Sequence, residues 1–490
     1  MSSQTAAMPR LLAAAVVLVC AGVVLVLEIL AVRLAAPYVG LTLETYSAAI
    51  GIALLGIAAG AWVGGQLADV VDPRTTLGPT IIVAGVLVLL ARPIVDGLGP
   101  RLEDGGSLAT LAVVGAGSGP AILALSMAHP AVVKLRLAAL EHTGATVGGL
   151  SAVGTLGALG GTLLTGFVLL GELSTRDIAL GAGLLVVGLG VVVSVALRRS
   201  GPRSMVLIAL PTLAVLPALA VLLASDGVCE RETRYYCARV EEVPPGKILW
   251  LDNLSHAYVN PERPRHLLLE YLGRIESIVA AVRPGSSPLR VLHIGGGGFA
   301  YPEYLAAARP GTESTVLELD PEVVEIGREE LGLNTGPDLR VRTGDARMSI
   351  LDEPSGAYDL VVGDAFSSRS VPWHLTTREF LAEVRRVLQP DGVYALNLID
   401  GGELGFLRAE LATLEAVFED VEVIGSPGQT SGNFIVAASP APLPLEALRR
   451  HAAAAGADVI DAATLTEGAP ILTDEFAPVD QLIGSTPGDD

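Results

Sequence analysis

The chain of 490 residues is 51% hydrophobic and carries a formal net charge of −20, but these averages conceal two halves of different composition. Residues 1–225 hold 11 basic and 10 acidic residues, which leaves 21 basic and 42 acidic residues in 226–490. Such an acidic half argues against nucleic acid as a partner, because nucleic-acid binding needs a basic surface.

Seven apolar runs follow one another in the first half, and each is about long enough to cross the roughly 30 Å hydrocarbon layer as a helix. They predict a multi-pass membrane domain of about seven helices over residues 1–225, with the lipid bilayer as its partner. The runs lie near 11–33, 46–68, 76–95, 107–128, 146–170, 177–197 and 204–225.

Glycines recur at intervals of four in two of these runs, at Gly56, Gly60 and Gly64 and again at Gly157 and Gly161. Small residues at this spacing let two helix backbones approach closely inside a bilayer. Helix packing is therefore favoured over a transport pathway, which would also need polar lining groups.

The basic residues of the loops predict an orientation. With the N terminus inside, seven Lys/Arg lie on the cytoplasmic side and four on the other side, so the positive-inside rule favours this arrangement. Seven spans would then place the second half outside the cytoplasm. The cytoplasmic group is Arg10, Arg74, Lys134, Arg136, Arg198, Arg199 and Arg203, and the opposite group is Arg33, Arg92, Arg101 and Arg176.

Two cysteines, Cys229 and Cys237, flank the string CERETRYYC just after the last apolar run. A pair eight residues apart at the start of an exported domain is compatible with a disulfide. Two unrelated reduced thiols are the alternative, and the sequence does not decide between them.

A small β unit and a helix are predicted over 226–285. ETRYYCARVEEV and KILWLDNLSHAYV alternate apolar and polar residues, which predicts two antiparallel strands, and a helix is expected near 266–282.

Strands and helices then alternate over 286–440, which predicts a Rossmann-like α/β domain with a mostly parallel sheet. The C-terminal helix and tail occupy 441–490. Strands are expected near 291–294, 315–319, 339–343, 358–363, 392–398 and 433–438, and helices near 301–308, 321–331, 376–388 and 445–456.

A glycine loop, Gly295 to Gly298, follows the first of these strands and allows a ligand to approach the backbone closely. The loop also satisfies G-x-G-x-x-A, so a dinucleotide must be considered. Glu318 ends the second strand, where a carboxylate can accept hydrogen bonds from both ribose hydroxyls. Asp320 is placed to cap the next helix, whose first turn would contain Pro321.

Asp345 follows the third strand in TGDAR, placed to accept from an adenine amino group, and Asp364 follows the fourth in GDAFSS. Three acidic strand ends around one glycine loop favour a nucleoside without phosphates. An adenosyl sulfonium fits better than NAD, since carboxylates stabilise a cation. No spacing of Cys and His predicts a metal site.

Residues 229–438 resemble the spermidine synthases (polyamine aminopropyltransferases), and the whole layout resembles their membrane-fused bacterial members. The resemblance is carried by ETRYYCARV, LWLDNLSHAYV, HIGGGG, ELDPEVVEIG, GDAR, VVGDAF, LTTREFLAEVRRVLQPDGVYALNL, SGNFIV and LTDEFAPVDQL.

The resemblance implies an S-adenosylmethionine-dependent transferase fold with decarboxylated S-adenosylmethionine, or S-adenosylmethionine itself, as co-substrate and a small amine as partner. The nucleoside-binding group comprises Gly295, Gly296, Gly297, Glu318, Asp345 and Ala346. Asp364 matches the family's catalytic aspartate, which orients and deprotonates the attacking amine. Candidates for contacts to the second substrate are Tyr235, His256, Tyr271 and His374. Assembly of several copies of the chain is left open.

Three features of the chain depart from the family pattern. The family's loop reads glycine-glycine-glycine-aspartate-glycine, whereas here Phe299 follows four glycines and the loop has no aspartate. The acidic pair ahead of tyrosine-histidine-glutamate is missing, and NPERPRHLLLEYL supplies only loose equivalents: Glu262, His266, Glu270 and Tyr271. Arg369 and His374 follow Asp364 where the family has a second aspartate.

Three functions therefore stay open. The first is a membrane-anchored aminopropyltransferase that releases methylthioadenosine. The second is a methyltransferase that uses S-adenosylmethionine. The third is a transporter or sensor that binds a nucleoside or polyamine without turnover. His293, inside a strand, is expected to be structural.

Overall fold

The structure is a computed structural model that describes residues 8–102, 106–137, 143–197, 202–225, 227–366 and 371–484, without the side chains of 202–205. Arg198, Arg199, Arg369 and the Arg203 side chain, which the sequence analysis singled out, lie outside the described part. The chain divides into two compact units, Met1–Cys237 and Ala238–Asp490, which are described separately below.

The first unit is built from apolar helices. Its described part contains seven that are long and apolar enough to cross a membrane, which agrees with the seven predicted runs. The helices are α1 (Arg10–Val39), α2 (Leu43–Val70), α3 (Pro73–Leu102), α4 (Gly106–Ser126), α5 (Ala128–Arg136), α6 (Thr143–Leu164), α7 (Leu170–Glu172), α8 (Thr175–Ala196), α9 (Pro202–Leu213) and α10 (Val215–Ala224). Near-continuous pairs among them, such as α4 and α5, count together as one candidate span.

The repeated glycines lie at helix crossings. A methyl group added at Gly60 would overlap the carbonyl oxygen of Leu123 on α4, and one added at Gly161 would overlap that of Gly22 on α1. The glycines therefore bring helix backbones into contact, as the packing interpretation expects.

Ionic and polar contacts hold the segment after α10 to the ends of three helices. Arg33 of α1 donates to the carbonyl oxygens of Thr233 and Tyr235, each at 2.6 Å. The Glu232 carboxylate accepts from the amide and hydroxyl of Thr175, at the first turn of α8, at 2.6 and 2.7 Å. The same carboxylate lies 3.7 Å from the buried guanidinium of Arg92 on α3. Glu232 belongs to the two-residue strand β1 (Arg231–Glu232).

A small antiparallel sheet opens the second unit, with β2 (Cys237–Val243), β3 (Gly246–Leu251) and β4 (Leu254–Val259). The prediction of one strand over KILWLDNLSHAYV was wrong, because the chain turns back within it. Asp252 takes a left-handed conformation (φ 54°) between β3 and β4, where Asp is tolerated better than most residues.

Helix α11 (Glu270–Val282) begins four residues later than predicted. The preceding residues form turns in which the Asn260 side chain accepts from the amides of Glu262 and Arg263, both at 3.1 Å. His266 therefore precedes the helix. The carboxylate of Glu270, at the start of the helix, is 92% exposed.

The main sheet has eight strands in the order β12-β10-β11-β9-β8-β5-β6-β7. The strands from β9 to β7 in this order run parallel, and β11, β10 and β12 add an antiparallel edge. Their bounds are β5 (Arg290–Ile294), β6 (Glu313–Glu318), β7 (Leu339–Thr343), β8 (Tyr358–Gly363), β9 (Leu388–Asp400), β10 (Asp420–Gly425), β11 (Gly432–Ser439) and β12 (Asp458–Asp461).

Helices cover both faces of this sheet. One buried core packs α15 and α16 against the strands, and the other packs α11, α12 and α17. The remaining helices are α12 (Ala300–Ala308), α13 (Pro321–Glu330), α14 (Ala346–Ser349), α15 (Arg378–Val387), α16 (Gly405–Glu415), α17 (Leu445–Ala454) and α18 (Val479–Leu482). The predicted fold class, a helical membrane-type domain followed by a small antiparallel unit and a Rossmann-like domain, is confirmed.

The strand order reverses between β5 and β8. From β5 the chain crosses to β6 and β7 on one side, and then returns to β8 on the other side. Open α/β sheets bind ligands in the crevice at the carboxyl ends of such strands. Here the two carboxyl ends lead into Gly295 and Asp364.

Candidate active site

The glycine loop brings the ends of β5 and β8 into contact. Gly295 adopts φ 94°, and a methyl group added to it would overlap the carbonyl oxygen of Asp364. The amide of Asp364 in turn donates to the carbonyl of Ile294 at 2.9 Å. Gly295 therefore fixes the position of the Asp364 backbone, and no residue with a side chain fits at this crossing.

Phe299, which follows the four glycines, turns away from the loop into the protein. It adopts φ 57° at the N-cap of α12 and is fully buried. A methyl group added at Gly296 or Gly327 would lie 2.6 or 2.8 Å from its ring. The Phe299 ring thus packs against the glycine loop, and the residue contributes no carboxylate to the site.

Strand β4 crosses over the same loop. A methyl group added at Gly298 would overlap the side chain of Ala257, and one at Gly297 would lie 3.7 Å from the carbonyl oxygen of His256. Burial lowers the pKa of the His256 imidazole to about 4, which keeps it neutral at physiological pH. Its contact to a substrate remains a prediction.

Glu318 lies at the end of β6 and faces the glycine loop. Its Oε2 accepts from the amide of Gly296 at 2.8 Å and its Oε1 accepts from the amide of Asp320 at 2.9 Å. Burial raises the pKa of Glu318, and these amide donors oppose the rise. A carboxylate can accept about four hydrogen bonds, so ribose hydroxyls can still be bound.

Asp320 caps α13 by accepting from the amide of Glu322 at 3.0 Å. The capping role expected for Asp320 is confirmed. His293 is buried inside β5, where its Nε2 lies 3.3 Å from the hydroxyl of Ser314. Burial lowers the pKa of His293 to about 3, in agreement with a structural role.

Asp345 caps α14 and contacts His374. Its Oδ1 accepts from the amide of Arg347 at 2.8 Å, while its Oδ2 lies 3.3 Å from Nε2 of His374. Ala346 is the buried first residue of the helix. His374 thus lies beside the residue predicted to bind the nucleobase, so a nucleobase contact is as compatible with its position as the predicted acceptor contact.

Asp364 has two neutral hydrogen-bond donors. Its Oδ2 accepts from the hydroxyl of Tyr271 at 2.8 Å, and its Oδ1 accepts from the side-chain amide of Asn397 at 2.9 Å. Tyr271 comes from α11 and Asn397 from β9, so the small helix and the sheet both position the carboxylate.

The environment of Asp364 suits a base. Burial raises the pKa of this carboxyl, whereas the donors Asn397 and Tyr271 lower it. Burial and the neighbouring Asp364 raise the pKa of Tyr271 well above its usual range, so the phenol remains a donor. A carboxylate with a raised pKa and two fixed donors can take a proton from a bound ammonium.

Asn397 was missed in the sequence. A signal was present, because it is a polar residue within the apolar strand sequence VYALNLI and lies near the carboxyl end of that strand. Its side chain points to the same sheet face as α11, where apolar residues otherwise dominate.

Tyr235 and the cysteine pair belong to the first unit. Tyr235 offers its carbonyl oxygen to Arg33, and its predicted contact to a substrate stays a prediction. Cys229 and Cys237 are joined in a disulfide. Among the described residues, no group of three or more His, Cys, Asp or Glu is arranged to hold a metal ion.

The chain is similar in sequence to several known proteins. The polyamine aminopropyltransferase of Vibrio vulnificus is 31% identical over 229 residues, which cover 43% of this chain and 76% of that protein. The chain belongs to the polyamine aminopropyltransferase family. Polyamine aminopropyltransferase 2 of Streptomyces coelicolor is 31% identical over 304 residues, with coverage of 57% of this chain and 51% of that relative.

Two further similarities concern the fold of this aminopropyltransferase-family chain. Residues 292–396 match the family model described as a methyltransferase domain. The crystal structure of a probable spermidine synthase from Corynebacterium glutamicum aligns with a TM-score of 0.47 and 27% identity, over 51% of this chain and 97% of that one. Family membership and the methyltransferase-domain match together show a transferase with a methyltransferase-like α/β domain.

Proposed function

We propose that the second unit transfers an aminopropyl group from decarboxylated S-adenosylmethionine to an amine and releases methylthioadenosine. The observation that carries this proposal is Asp364, a carboxylate at the strand-order reversal that is held by Tyr271 and Asn397. Family membership supports the same reaction class, since the relatives above are named for it.

Glu318 and Asp345 would hold the nucleoside. Glu318 accepts from the ribose hydroxyls, Asp345 accepts from the exocyclic amine of adenine, and Ala346 borders the base. Gly295, Gly296 and Gly297 let the backbone approach the sulfonium side of the donor without a steric barrier. A site lined by carboxylates stabilises the sulfonium cation.

Asp364 would then act on the acceptor. An alkylammonium with a pKa near 10 must lose a proton before its nitrogen can attack. Asp364 holds the ammonium and takes that proton. The nitrogen lone pair forms a bond to the carbon next to sulfur, the C–S electron pair leaves with sulfur, and neutral methylthioadenosine departs. Fixing both partners in line supplies much of the acceleration.

The first unit would anchor this enzyme in the membrane. Seven helices of suitable length and composition support the anchor. Under the predicted N-in orientation, the second unit lies outside the cytoplasm, and the disulfide between Cys229 and Cys237 is compatible with that side.

A second candidate is a methyltransferase that uses intact S-adenosylmethionine. The match of residues 292–396 to a methyltransferase domain favours it, and the contacts proposed for adenosine would be the same. The product nucleoside separates the two candidates. Purified full-length protein is incubated with each donor and a panel of amines; methylthioadenosine supports the first reaction, and S-adenosylhomocysteine supports the second.

Asp364→Asn tests the assigned base. The amide keeps the shape of the side chain but cannot take a proton, so we expect turnover to fall by about 100-fold or more, a typical contribution for a general base. Binding of methylthioadenosine, measured by calorimetry, should change little. The matched control is Asp352→Asn, whose carboxylate is 72% exposed and pairs with Arg342. Turnover that survives in Asp364→Asn contradicts the role of Asp364.

A further inference from the structure

A chain of side-chain amides continues from Asp364 into the protein. Asn433 donates from its Nδ2 to the Oδ1 of Asn397 at 2.9 Å, and Asn397 donates to Asp364. The two asparagines lie on neighbouring antiparallel strands, where Asn397 pairs with Ile435 and Asn433 is its diagonal neighbour on the same face.

The chemistry of the three groups permits one arrangement. An ionised Asp364 only accepts hydrogen bonds, so Asn397 must turn its NH₂ group toward the carboxylate and its oxygen away. The opposite rotamer would place the Asn397 oxygen against a carboxylate oxygen. A donor on the far side of Asn397 stabilises the productive rotamer, and Asn433 supplies it.

Arg274 holds Asn433 in place. Its Nη1 donates to the main-chain oxygen of Asn433 at 2.9 Å and its Nη2 to the hydroxyl of Ser426 at 2.8 Å. The Gln429 side chain donates to the same Asn433 oxygen at 2.9 Å. Arg274 is 7% exposed, so these bonds are shielded from water and fix the start of β11 against α11.

We propose that Asn433 and Asn397 are positioning residues that orient Asp364 toward the acceptor amine, with Asn433 acting through Asn397. This inference rests on the proposed function, because it explains how Asp364, the base of that reaction, is held in position. Neither residue needs to touch the nucleoside, whose predicted ligands Glu318 and Asp345 are on other strand ends.

Asn433→Leu removes the second donor without adding charge and keeps a similar volume. Asn397 is then free to rotate, and Asp364 loses a donor that stabilises its ionised form. We expect the acid limb of the rate against pH to move to higher pH, with turnover on that limb about tenfold lower. The KM for the adenosyl donor should be unchanged.

Asn397→Leu and the double variant complete a thermodynamic cycle. Asn397→Leu should move the acid limb at least as far. Adding Asn433→Leu to it should have no further effect, because Asn433 has nothing left to orient. Asn334→Leu, at an exposed loop residue, is the matched control and should behave as the wild type. An unchanged profile for Asn433→Leu, or two effects that add in the double variant, overturns the proposal.

A second measurement separates failure of this inference from failure of the proposed function. If no amine supports turnover in the wild type, the proposed function fails, and the network is tested through the unfolding midpoint of the full-length protein. Asn433→Leu should be less stable than the wild type at high pH, where Asp364 is ionised, and closer to it at low pH. An Asp364→Asn background should remove this pH dependence, and a dependence that persists there overturns the inference.

Discussion

At the scale of single residues, the carboxyl groups of Asp364 and Glu410 are both buried but differ in their hydrogen-bond donors. Asp364 has a tyrosine and an amide as donors and lies at an open strand end. Glu410, on α16, is 1% exposed, and among the described residues its Oε2 has no hydrogen-bond partner. A charge in such a place is costly, so burial raises the pKa of Glu410 well above its usual range.

Glu410→Gln should stabilise the protein as the pH rises. A group whose pKa is raised in the folded state contributes full stability below its unfolded pKa and loses it progressively toward the raised value. The unfolded chain ionises Glu410 at pH 7, at a cost to folding of at most about 4 kcal/mol. Glutamine keeps the shape and does not ionise.

We therefore expect the unfolding midpoint of Glu410→Gln to exceed that of the wild type at pH 8 and to approach it near pH 5. Scanning calorimetry of the full-length protein over this range makes the comparison. Exposed Glu415 on the same helix provides the control, since Glu415→Gln should shift neither midpoint. A Glu410→Gln protein that is equally stable at all pH values would contradict an uncharged, buried Glu410.

At the scale of elements, the glycine loop controls the geometry of the site through backbone contact. Gly295→Ala forces a methyl group against the carbonyl of Asp364 at φ 94° and displaces the proposed base. Gly298→Ala pushes β4 from the loop through Ala257. We expect both changes to lower turnover at least tenfold, since displacements of about 1 Å can cost that much or more.

Gly295→Ala should also weaken the binding of methylthioadenosine. Gly295→Ala alters the contact between the loop and Asp364, so both turnover and methylthioadenosine affinity should fall. Gly336→Ala is the control, because that glycine has open space around it and an added methyl group meets no neighbour. Wild-type kinetics in Gly295→Ala would show that the loop does not set the position of Asp364.

Local sequence patterns predicted the parallel strands that form this site. Other elements of the second unit were not predicted. Apolar runs that end in glycine or an acid marked β5, β6, β7 and β8. The antiparallel strands β10 and β12 were not predicted, and neither was α16. VEVIG and DVID are short, and α16 has no strong cap, since Leu404 precedes it at φ 55°. These elements are stabilised by packing against residues distant in sequence, which periodicity does not register.

The residues of the candidate site were likewise predicted only in part. Glu318 ends β6 and Asp364 follows β8, so both are visible in the sequence at strand ends, and Asp364 lies where the strand order reverses. Asn397 leaves a signal in the sequence as a polar residue in an apolar strand, but its contact to Asp364 becomes visible only when β9 is placed beside β8 and α11 is folded over it. The partnership of Asn433 with Asn397 depends on antiparallel register, which the sequence alone does not specify.

At the scale of the whole molecule, one chain combines a unit that suits lipid with a unit whose surface is acidic. Within the first unit, Arg33 and Arg92 lie on helices whose ends contact the segment 227–237, at the opposite end of α1 from Arg10. If all seven candidate helices cross a membrane, this segment lies on the opposite side from the N terminus. The predicted membrane side of residues 227–237 is therefore also the predicted side of the second unit, which follows directly in the chain.

Thiol labelling in intact cells tests that side. In a Cys20→Ala background, the disulfide partners Cys229 and Cys237 are the two remaining cysteines of the chain. If the segment is extracytoplasmic, a membrane-impermeant maleimide should label neither until an impermeant reductant is added, and then should label both. Labelling that requires permeabilised cells would place the segment in the cytoplasm, where reduced thiols are expected. That result would reverse the predicted orientation and give the enzyme direct access to a cytoplasmic donor.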